Sequence, residues 1–366
     1  MSRRVEDNQF GTHRASELMR RALGLTEGTQ PHPNPRVGAL VITSAGEIVA
    51  ERAHLSAGTA HAEAAALLDA GPAARGSTLV VTLEPCAHHG RTPPCTDAII
   101  TSGVARVIVG ALDPDPRVSG RGIAALRSAG IDVLADTDAD AIRANDPAYF
   151  HHRETGRPLV TLKAASTLDG QSAAADRTSQ WITDLPARMD GHRLRSEHDA
   201  ALVGIGTIID DDPLLNVRLP GYNGRHPRPV VVTGRRTVPD GAAILTRDPL
   251  LITGGAPQPS YLDAFDQAAL PGPDGVDLIA TIEHLATEGI LSVLVEGGPR
   301  LAGSALRAGI VDRLVIYYGA MLGGGVGLPS VAGGFATLTD HYPVAIDAIA
   351  TIGPDFRVDA TMKRGT

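Results

Sequence analysis

Short runs rich in valine, leucine and isoleucine recur along the chain, separated by stretches of helical composition, and this alternation restricts the fold to the α/β class. In a first series, VGALVI (37–42) and EIVAERA (47–53) read as a hairpin across a Ser-Ala-Gly turn. STLVVTL (77–83), RVIVGAL (106–112) and IDVLAD (131–136) read as buried strands. ASELMRRALGL (15–25) and HAEAAALLDAG (61–71) read as helices, the second stopped by Gly71, with others near 96–102 and 121–129. A second series follows. LVTLKAAS (159–166), AALVGIGT (200–207), PVVVTG (229–234), PLLITG (249–254), VDLIATI (276–282) and VDRLVIYYGAML (311–322) read as strands, and LPARMDGHRLRSEH (185–198) as a helix. Between the series, DADAIRANDPAYFHHRETGRP (138–158) is polar, ends in Gly-Arg-Pro and reads as a bridge. A chain of 366 residues exceeds a usual single core, so two domains are expected, at 1–152 and 153–366. The Pro- and Gly-rich stretch 255–275 reads as a surface connection.

Composition excludes several classes. Hydrophobic residues at 43% and charged residues at 20% describe a folded chain, not a disordered one. The longest apolar run, AALVGIGTII (200–209), is too short to cross a bilayer, and MSRRVEDNQF lacks the apolar core of an export signal. A net charge of −8 and 3% aromatics disfavour nucleic acid as a partner. With only two cysteines and no export signal, a cytoplasmic location is expected.

Both cysteines sit in one loop, EPCAHHGRTPPC (84–95). A catalytic zinc takes three protein ligands of the sulfur and imidazole type. Cys86 and Cys95 could supply two and His61 the third. His61-Ala62-Glu63 followed by Pro85-Cys86 matches the nucleobase-deaminase signature, in which the Glu carries protons and is not a ligand. The spacing departs from that signature, since eight residues separate the cysteines instead of two. Two residues apart in a helix means roughly 200° of rotation. His61 and Glu63 therefore converge only if His61 is still extended where the helix begins. Two other readings stay open here: a local disulfide, and a structural zinc with His88 or His89 as fourth ligand.

In the second series, VGIGTIIDDDP and VEGGPRLAGSAL each give a strand, a glycine turn and a helix. Glycine lets backbone amides approach a phosphate, so the two turns together point to a phosphate-rich cofactor. Trp181 reads by default as a packing residue, Asp210-Asp211-Asp212 as a solvated helix end, and Arg195 and Arg218 as surface charges.

HPNPRVGALV, HAEAAAL and TLEPCAHHGRTPPCTDAI resemble the deaminase half of the bifunctional riboflavin-biosynthesis deaminase–reductase family, which carries the long cysteine spacing. RPLVTLKAASTLDG, SQWIT and the two glycine turns are similar to its reductase half. The resemblance implies a cytidine-deaminase-like αβα domain followed by a dihydrofolate-reductase-like α/β domain. It also implies one zinc per chain, held by His61, Cys86 and Cys95, with Glu63 catalytic. By position it implies that Asn34, His54, His88 and Arg91 hold the pyrimidine substrate; Arg91 stands where relatives have lysine. It further implies NADPH at Ala165, Trp181, Thr207, Asp211 and the turn Gly298, Pro299, Arg300, Leu301, Ala302, Gly303 and Ser304. Ser179, Arg195, Leu215, Arg218 and Glu296 would hold the same phosphoribosyl substrate in the reductase, with the two arginines on its phosphate. Thr167 replaces the usual serine before Leu-Asp-Gly. The activity implied is hydrolytic deamination of 2,5-diamino-6-ribosylamino-4(3H)-pyrimidinone 5′-phosphate, then NADPH-dependent reduction of ribosyl to ribityl. A homo-oligomer acting on a small molecule, without nucleic acid or membrane, is expected. A nucleic-acid-editing deaminase would share the zinc site but need a basic, aromatic surface. A zinc-stabilised binding module would leave Glu63 without a task.

Overall fold

The structure, a computed structural model, describes residues 12–89, 93–333 and 337–363. The chain divides into two compact units, Met1–Gly156 and Arg157–Thr366.

The first unit runs α1 (Thr12–Gly24), β1 (Gly38–Ile42), β2 (Ile48–Ala53), α2 (Ala62–Ala70), β3 (Thr78–Leu83), α3 (Cys95–Ser102), β4 (Arg106–Ala111), α4 (Arg121–Ser128) and β5 (Asp132–Leu134). Two further helices close it, α5 (Ala139–Asn145) and α6 (Pro147–Thr155). Its sheet has the order β2-β1-β3-β4-β5. β1 is antiparallel to both neighbours, and β3, β4 and β5 are mutually parallel. Every residue of β1 and β3 is buried, as continuous apolar strands covered on both faces require. α1 and α5 meet over β4, where Met19 and Ile142 close on Gly110, while α2, α3 and α4 pack side by side. These two helical layers make the αβα sandwich.

The expected bridge at 138–158 is corrected: it folds as α5 and α6. Ile142, Ala148, Tyr149 and Phe150 are buried, so the apolar AYF core outweighs the polar flanks. Asp146 caps α6 at the Tyr149 amide and also accepts from the Arg36 amide at 2.9 Å.

The second unit contains β6 (Leu159–Thr167), β7 (Gln171–Ala173), α7 (Leu185–Ser196), β8 (Ala200–Gly204), α8 (Ile205–Asp211), β9 (Arg228–Gly234), β10 (Leu250–Thr253) and β11 (Gln267–Ala269). It continues with α9 (Leu278–Thr287), β12 (Ser292–Val295), α10 (Pro299–Arg307), β13 (Arg313–Gly319), β14 (Leu328–Pro329), β15 (Val344–Ile352) and β16 (Asp355–Met362). Nine strands form one sheet in the order β11-β10-β9-β8-β12-β6-β13-β16-β15, parallel from β11 through β13, with the β15–β16 hairpin antiparallel. Alternate residues of β8 feed opposite cores: Ala200 and Leu202 join α9 and α10, Ala201 and Val203 join Ile208.

The strand expected at 276–282 is a helix, α9. Asp277 accepts from the Ile279 and Ala280 amides as its cap, and Leu278, Thr281, Ile282 and Leu285 bury one face at helical spacing. The β-branched run mimics a strand over seven residues; only its continuation to Thr287 gives the period away. Within 255–275, β11 adds an edge strand to β10.

Candidate functional site

α2 begins at Ala62 because His61 is its cap, with φ −66° and ψ 153°, an extended backbone. The His61 carbonyl accepts from the Ala65 amide at 3.0 Å, so the helix is anchored while the imidazole leaves it sideways. Glu63, in the first turn, is only 4% exposed, and its carboxylate meets the Cys95 thiol. Burial pushes its carboxyl above the usual range. Cys86 follows β3 and Cys95 opens α3. The His61 Nδ1 lies 3.1 Å from Cys95 Sγ and 3.8 Å from Cys86 Sγ. All three ligand atoms fall within 4.8 Å of one another, the sole such group among the described residues.

Hydrogen bonding from Cys95 draws the Cys86 pKa down to about 4, while that of Cys95 is pushed up. A thiolate beside an imidazole is the donor set that zinc prefers, so the residues fit the metal. Both cysteines are free, which removes the disulfide reading, and His88 and His89 lie outside the three-ligand group.

One residue that positions this site was missed from sequence. Glu84, before Pro85-Cys86, is buried at the start of α4 and accepts from the amides of Gly120 at 2.9 Å, Gly122 at 3.0 Å and Ile123 at 3.3 Å. A Cβ at Gly122 would sit 2.0 Å from the Pro85 carbonyl oxygen, so glycine permits the contact that fixes the Cys86 loop. A lone acidic residue ending the apolar run STLVVTL was the available signal.

Of the substrate candidates, His54 packs against the metal group and Asn34 meets His54. The Asn34 Nδ2 is 3.1 Å from His54 Nε2, and His54 packs edge-on to His61 with ring centroids 5.3 Å apart. The His54 Nδ1 faces the Ala60 carbonyl at 3.1 Å, and burial lowers its pKa, so the ring is neutral near pH 7. The His88 Nδ1 is buried with no hydrogen-bond partner among the described residues. Arg91 lies outside the described residues.

In the second unit a cavity of about 1210 Å³ opens along the C-terminal ends of the parallel strands, where α/β sheets bind ligands. Ala165, Trp181, Thr207, Asp211, Gly298, Pro299, Arg300, Leu301 and Ser304 line it, as do Ser179, Arg195, Leu215, Arg218 and Glu296. Ala302 and Gly303 do not; they lie on the buried side of α10, where a Cβ on Gly303 would strike the Ala332 carbonyl. The glycine turns after β8 and β12 leave an open, backbone-lined wall that fits a dinucleotide.

Arg195 lines the cavity and is already engaged there. Its Nε and Nη2 bond the Glu296 carboxylate at 2.6 and 2.8 Å, and its Nη1 bonds the Asn216 carbonyl at 2.7 Å. The guanidinium fork is thus spent on protein groups. Burial raises the Glu296 carboxyl, but Arg195 and Lys163 outweigh it and hold the pKa at about 2. Arg218 has no ion pair among the described residues, which leaves its guanidinium open to an anion, and burial and Arg195 depress its pKa. Trp181 is 61% exposed, with the Arg188 guanidinium 4.2 Å above its ring, not a core residue.

Lys163 was also missed. It lines the cavity with its Nζ 3.9 Å from Glu296, and burial pulls its pKa below the ordinary value. A single cation inside the apolar strand LVTLKAAS was its signal.

The cytidine and deoxycytidylate deaminase zinc-binding region matches residues 12–111, and the RibD C-terminal domain matches 158–356. The riboflavin biosynthesis protein RibD of Bacillus amyloliquefaciens is 38% identical over 98% of this chain and 97% of its own length. That of Escherichia coli strain K12 is 37% identical over 92% and 96%. Among solved structures, Acinetobacter baumannii RibD superposes with a TM-score of 0.89 at 30% identity, over 97% of this chain and all of its own. The Thermotoga maritima diaminohydroxyphosphoribosylaminopyrimidine deaminase/5-amino-6-(5-phosphoribosylamino)uracil reductase does so with a TM-score of 0.86 at 32% identity, over 96% and 99%. The zinc-binding deaminase unit and the NADPH-using reductase unit are therefore two halves of one bifunctional enzyme, and the chain belongs to the RibD family of riboflavin biosynthesis.

Proposed function

We propose that Glu63 is the proton carrier of the deaminase and that Lys163, paired with Glu296, is the proton donor of the reductase. The observation that carries the first assignment is Glu63, buried against the same three side chains that form the metal group. His61, Cys86 and Cys95 would hold the zinc, which when bound would supply Lewis-acid activation of the attacking water. Glu63 would pass one proton of the attacking water to the ring nitrogen as the C–O bond forms, and then carry the second to the amino group as the C–N bond breaks and ammonia leaves. Asn34, His54, His88 and Arg91 hold the pyrimidine phosphate; a neutral His54 suits hydrogen bonding to a base edge.

Reducing a ribosylamine to a ribitylamine adds hydride at C1′, breaks the C1′–O4′ bond and requires a proton at O4′. NADPH supplies the hydride. Lys163 is suited to supply the proton, because burial makes its ammonium more acidic while Glu296 keeps it charged. Glu296, clamped by Arg195, orients Lys163, and Arg218 receives the substrate phosphate. Ser179 and Leu215 complete the substrate wall. The cofactor lies along Ala165, Trp181, Thr207, Asp211 and the Gly298–Leu301 turn with Ser304.

The test is a coupled assay on zinc-loaded protein with the diamino-pyrimidinone phosphate and NADPH, following ammonia and NADPH absorbance together. Ammonia release followed by substrate-dependent NADPH loss is expected. NADPH loss without ammonia would overturn the order of the two reactions.

We further propose that the enzyme works in the cytoplasm, where its ligand thiols stay reduced, as a homo-oligomer. No described helix is long and apolar enough to cross a membrane. The edge strand β15 supports the oligomer: Ile346 and Ile349 are 62% and 66% exposed, an apolar edge of the kind that pairing with another chain covers. Light scattering of Ile346→Lys/Ile349→Lys is expected to give half the wild-type mass or less. An unchanged mass would exclude β15 from the interface.

A further inference from the structure

We propose that Asp146 is a positioning residue of the deaminase: its two carboxylate oxygens clamp the loop on either side of Asn34 and aim that side chain at the pyrimidine. The proposal rests on the reading of Asn34 as a substrate contact. Asp146 is 4% exposed and stands just before α6, far along the chain from the loop His32-Pro33-Asn34-Pro35-Arg36. Its Oδ1 lies 3.1 Å from His32 Nε2, and its Oδ2 accepts from the Arg36 amide at 2.9 Å. A carboxylate only accepts, so the His32 ring donates. The two contacts fall two residues before and two residues after Asn34, one on each oxygen.

A loop clamped in this way has little freedom left. Pro33 and Pro35 fix φ on both sides of Asn34. The Asn34 amide donates to the Pro31 carbonyl at 3.0 Å, and beyond Arg36 the Val37 carbonyl accepts from the His54 amide at 2.8 Å. The Asn34 Nδ2 donates to His54 Nε2 at 3.1 Å, so His54 Nδ1 carries the hydrogen that faces the Ala60 carbonyl, also at 3.1 Å. This fixes which way the Asn34 amide points. Its Oδ1 has no hydrogen-bond partner among the described residues and is left as the acceptor for an amino group of the pyrimidine. His54 in turn packs on His61, so the contacts run unbroken from Asp146 to the metal group.

Capping of α6 does not account for this placement. A cap needs one acceptor for a first-turn amide, and the Tyr149 amide donates to Asp146 Oδ1 at 3.4 Å. Serine at the same position would meet that need. The second oxygen and the reach to His32 exceed what the helix requires. Among the described residues no arginine or lysine pairs with Asp146. A buried carboxylate is costly to desolvate unless its oxygens are hydrogen-bonded, and here the bonds that satisfy it are the ones that hold the Asn34 loop.

The test uses the full chain and follows ammonia release, zinc content and reduction of substrate that has already been deaminated. The variants are Asp146→Ser, Asp146→Asn, Asn34→Ala and Asn34→Ala/Asp146→Ser. Serine keeps the cap and is too short to clamp the loop. Asp146→Ser is expected to lower kcat/KM for ammonia release by about tenfold or more, chiefly through KM, with zinc and reduction unchanged. Asparagine, with one acceptor oxygen, should lose only part of that. In the Asn34→Ala background the same serine change should cost less than about twofold, because the group that Asp146 aims is gone. An equal cost in both backgrounds, wild-type kinetics in Asp146→Ser, or loss of zinc would overturn the assignment and return Asp146 to support of the fold. Asn34→Ala that keeps the wild-type KM would instead overturn the substrate reading of Asn34, and this proposal with it.

Discussion

Glu63→Gln is expected to lower ammonia release by about 10³-fold while zinc, measured by elemental analysis, stays at the wild-type level. Glutamine keeps the shape and the buried volume of the site, and Glu63 is not one of the three ligands, so metal affinity has no reason to fall. It cannot accept and return a proton, which is the step that the buried carboxylate performs. Reduction of substrate that has already been deaminated should continue, because Lys163, Glu296 and the cavity belong to the other unit. A variant that still releases ammonia at more than a tenth of the wild-type rate would remove Glu63 from proton transfer. A variant that loses zinc would recast it as a support of the ligand loop.

Glu296→Ala carries the second large effect. It leaves Arg195 and Lys163 buried without their shared carboxylate, and breaking one side of a buried ion pair costs about 3–5 kcal/mol. The pKa points to the same size. The Glu296 carboxyl is held at about 2 against an ordinary 4.5, and that difference is worth about 3 kcal/mol. The sign follows: a depressed carboxylate stabilises fully above pH 4.5, and the contribution disappears as pH falls from 4.5 toward 2. Calorimetry at pH 7 should show a melting transition lower by on the order of 10 °C. The variant should lose less further stability than wild type between pH 5 and 3. NADPH oxidation should vanish while ammonia release persists. Glu296→Gln, which keeps the volume, separates the roles: restored melting without restored reduction assigns the carboxylate to Lys163, and restoration of both would confine it to packing.

The zinc site was legible because its chemistry is local. His61 and Glu63 stand on one turn, their convergence follows from extended geometry at a helix start, and the cysteines bracket one loop. The family resemblance then supplied the long cysteine spacing and the reductase contacts. The bridge at 138–158 and the strand at 276–282 were misread for two different physical reasons. Polar flanks hid the buried Tyr149 and Phe150, and a β-branched run hid a helical period that shows only when Leu285 and its neighbours are seen on one face.

The sequence by itself determined the α/β class and the glycine turns, because each depends on residues near one another in the chain, and it set out the two units and, with the family resemblance, the metal ligands. Only the tertiary structure decided which charges are spent and which are free. Arg195 and Glu296 lie far apart in sequence and are joined because α7 and the end of β12 meet at one cavity. Among the described residues, the same fold leaves Arg218 unpaired along the strand ends. Whether a guanidinium grips a ligand or a carboxylate depends on which acceptor the packed sheet brings within about 3 Å, and no spacing along the chain contains that distance.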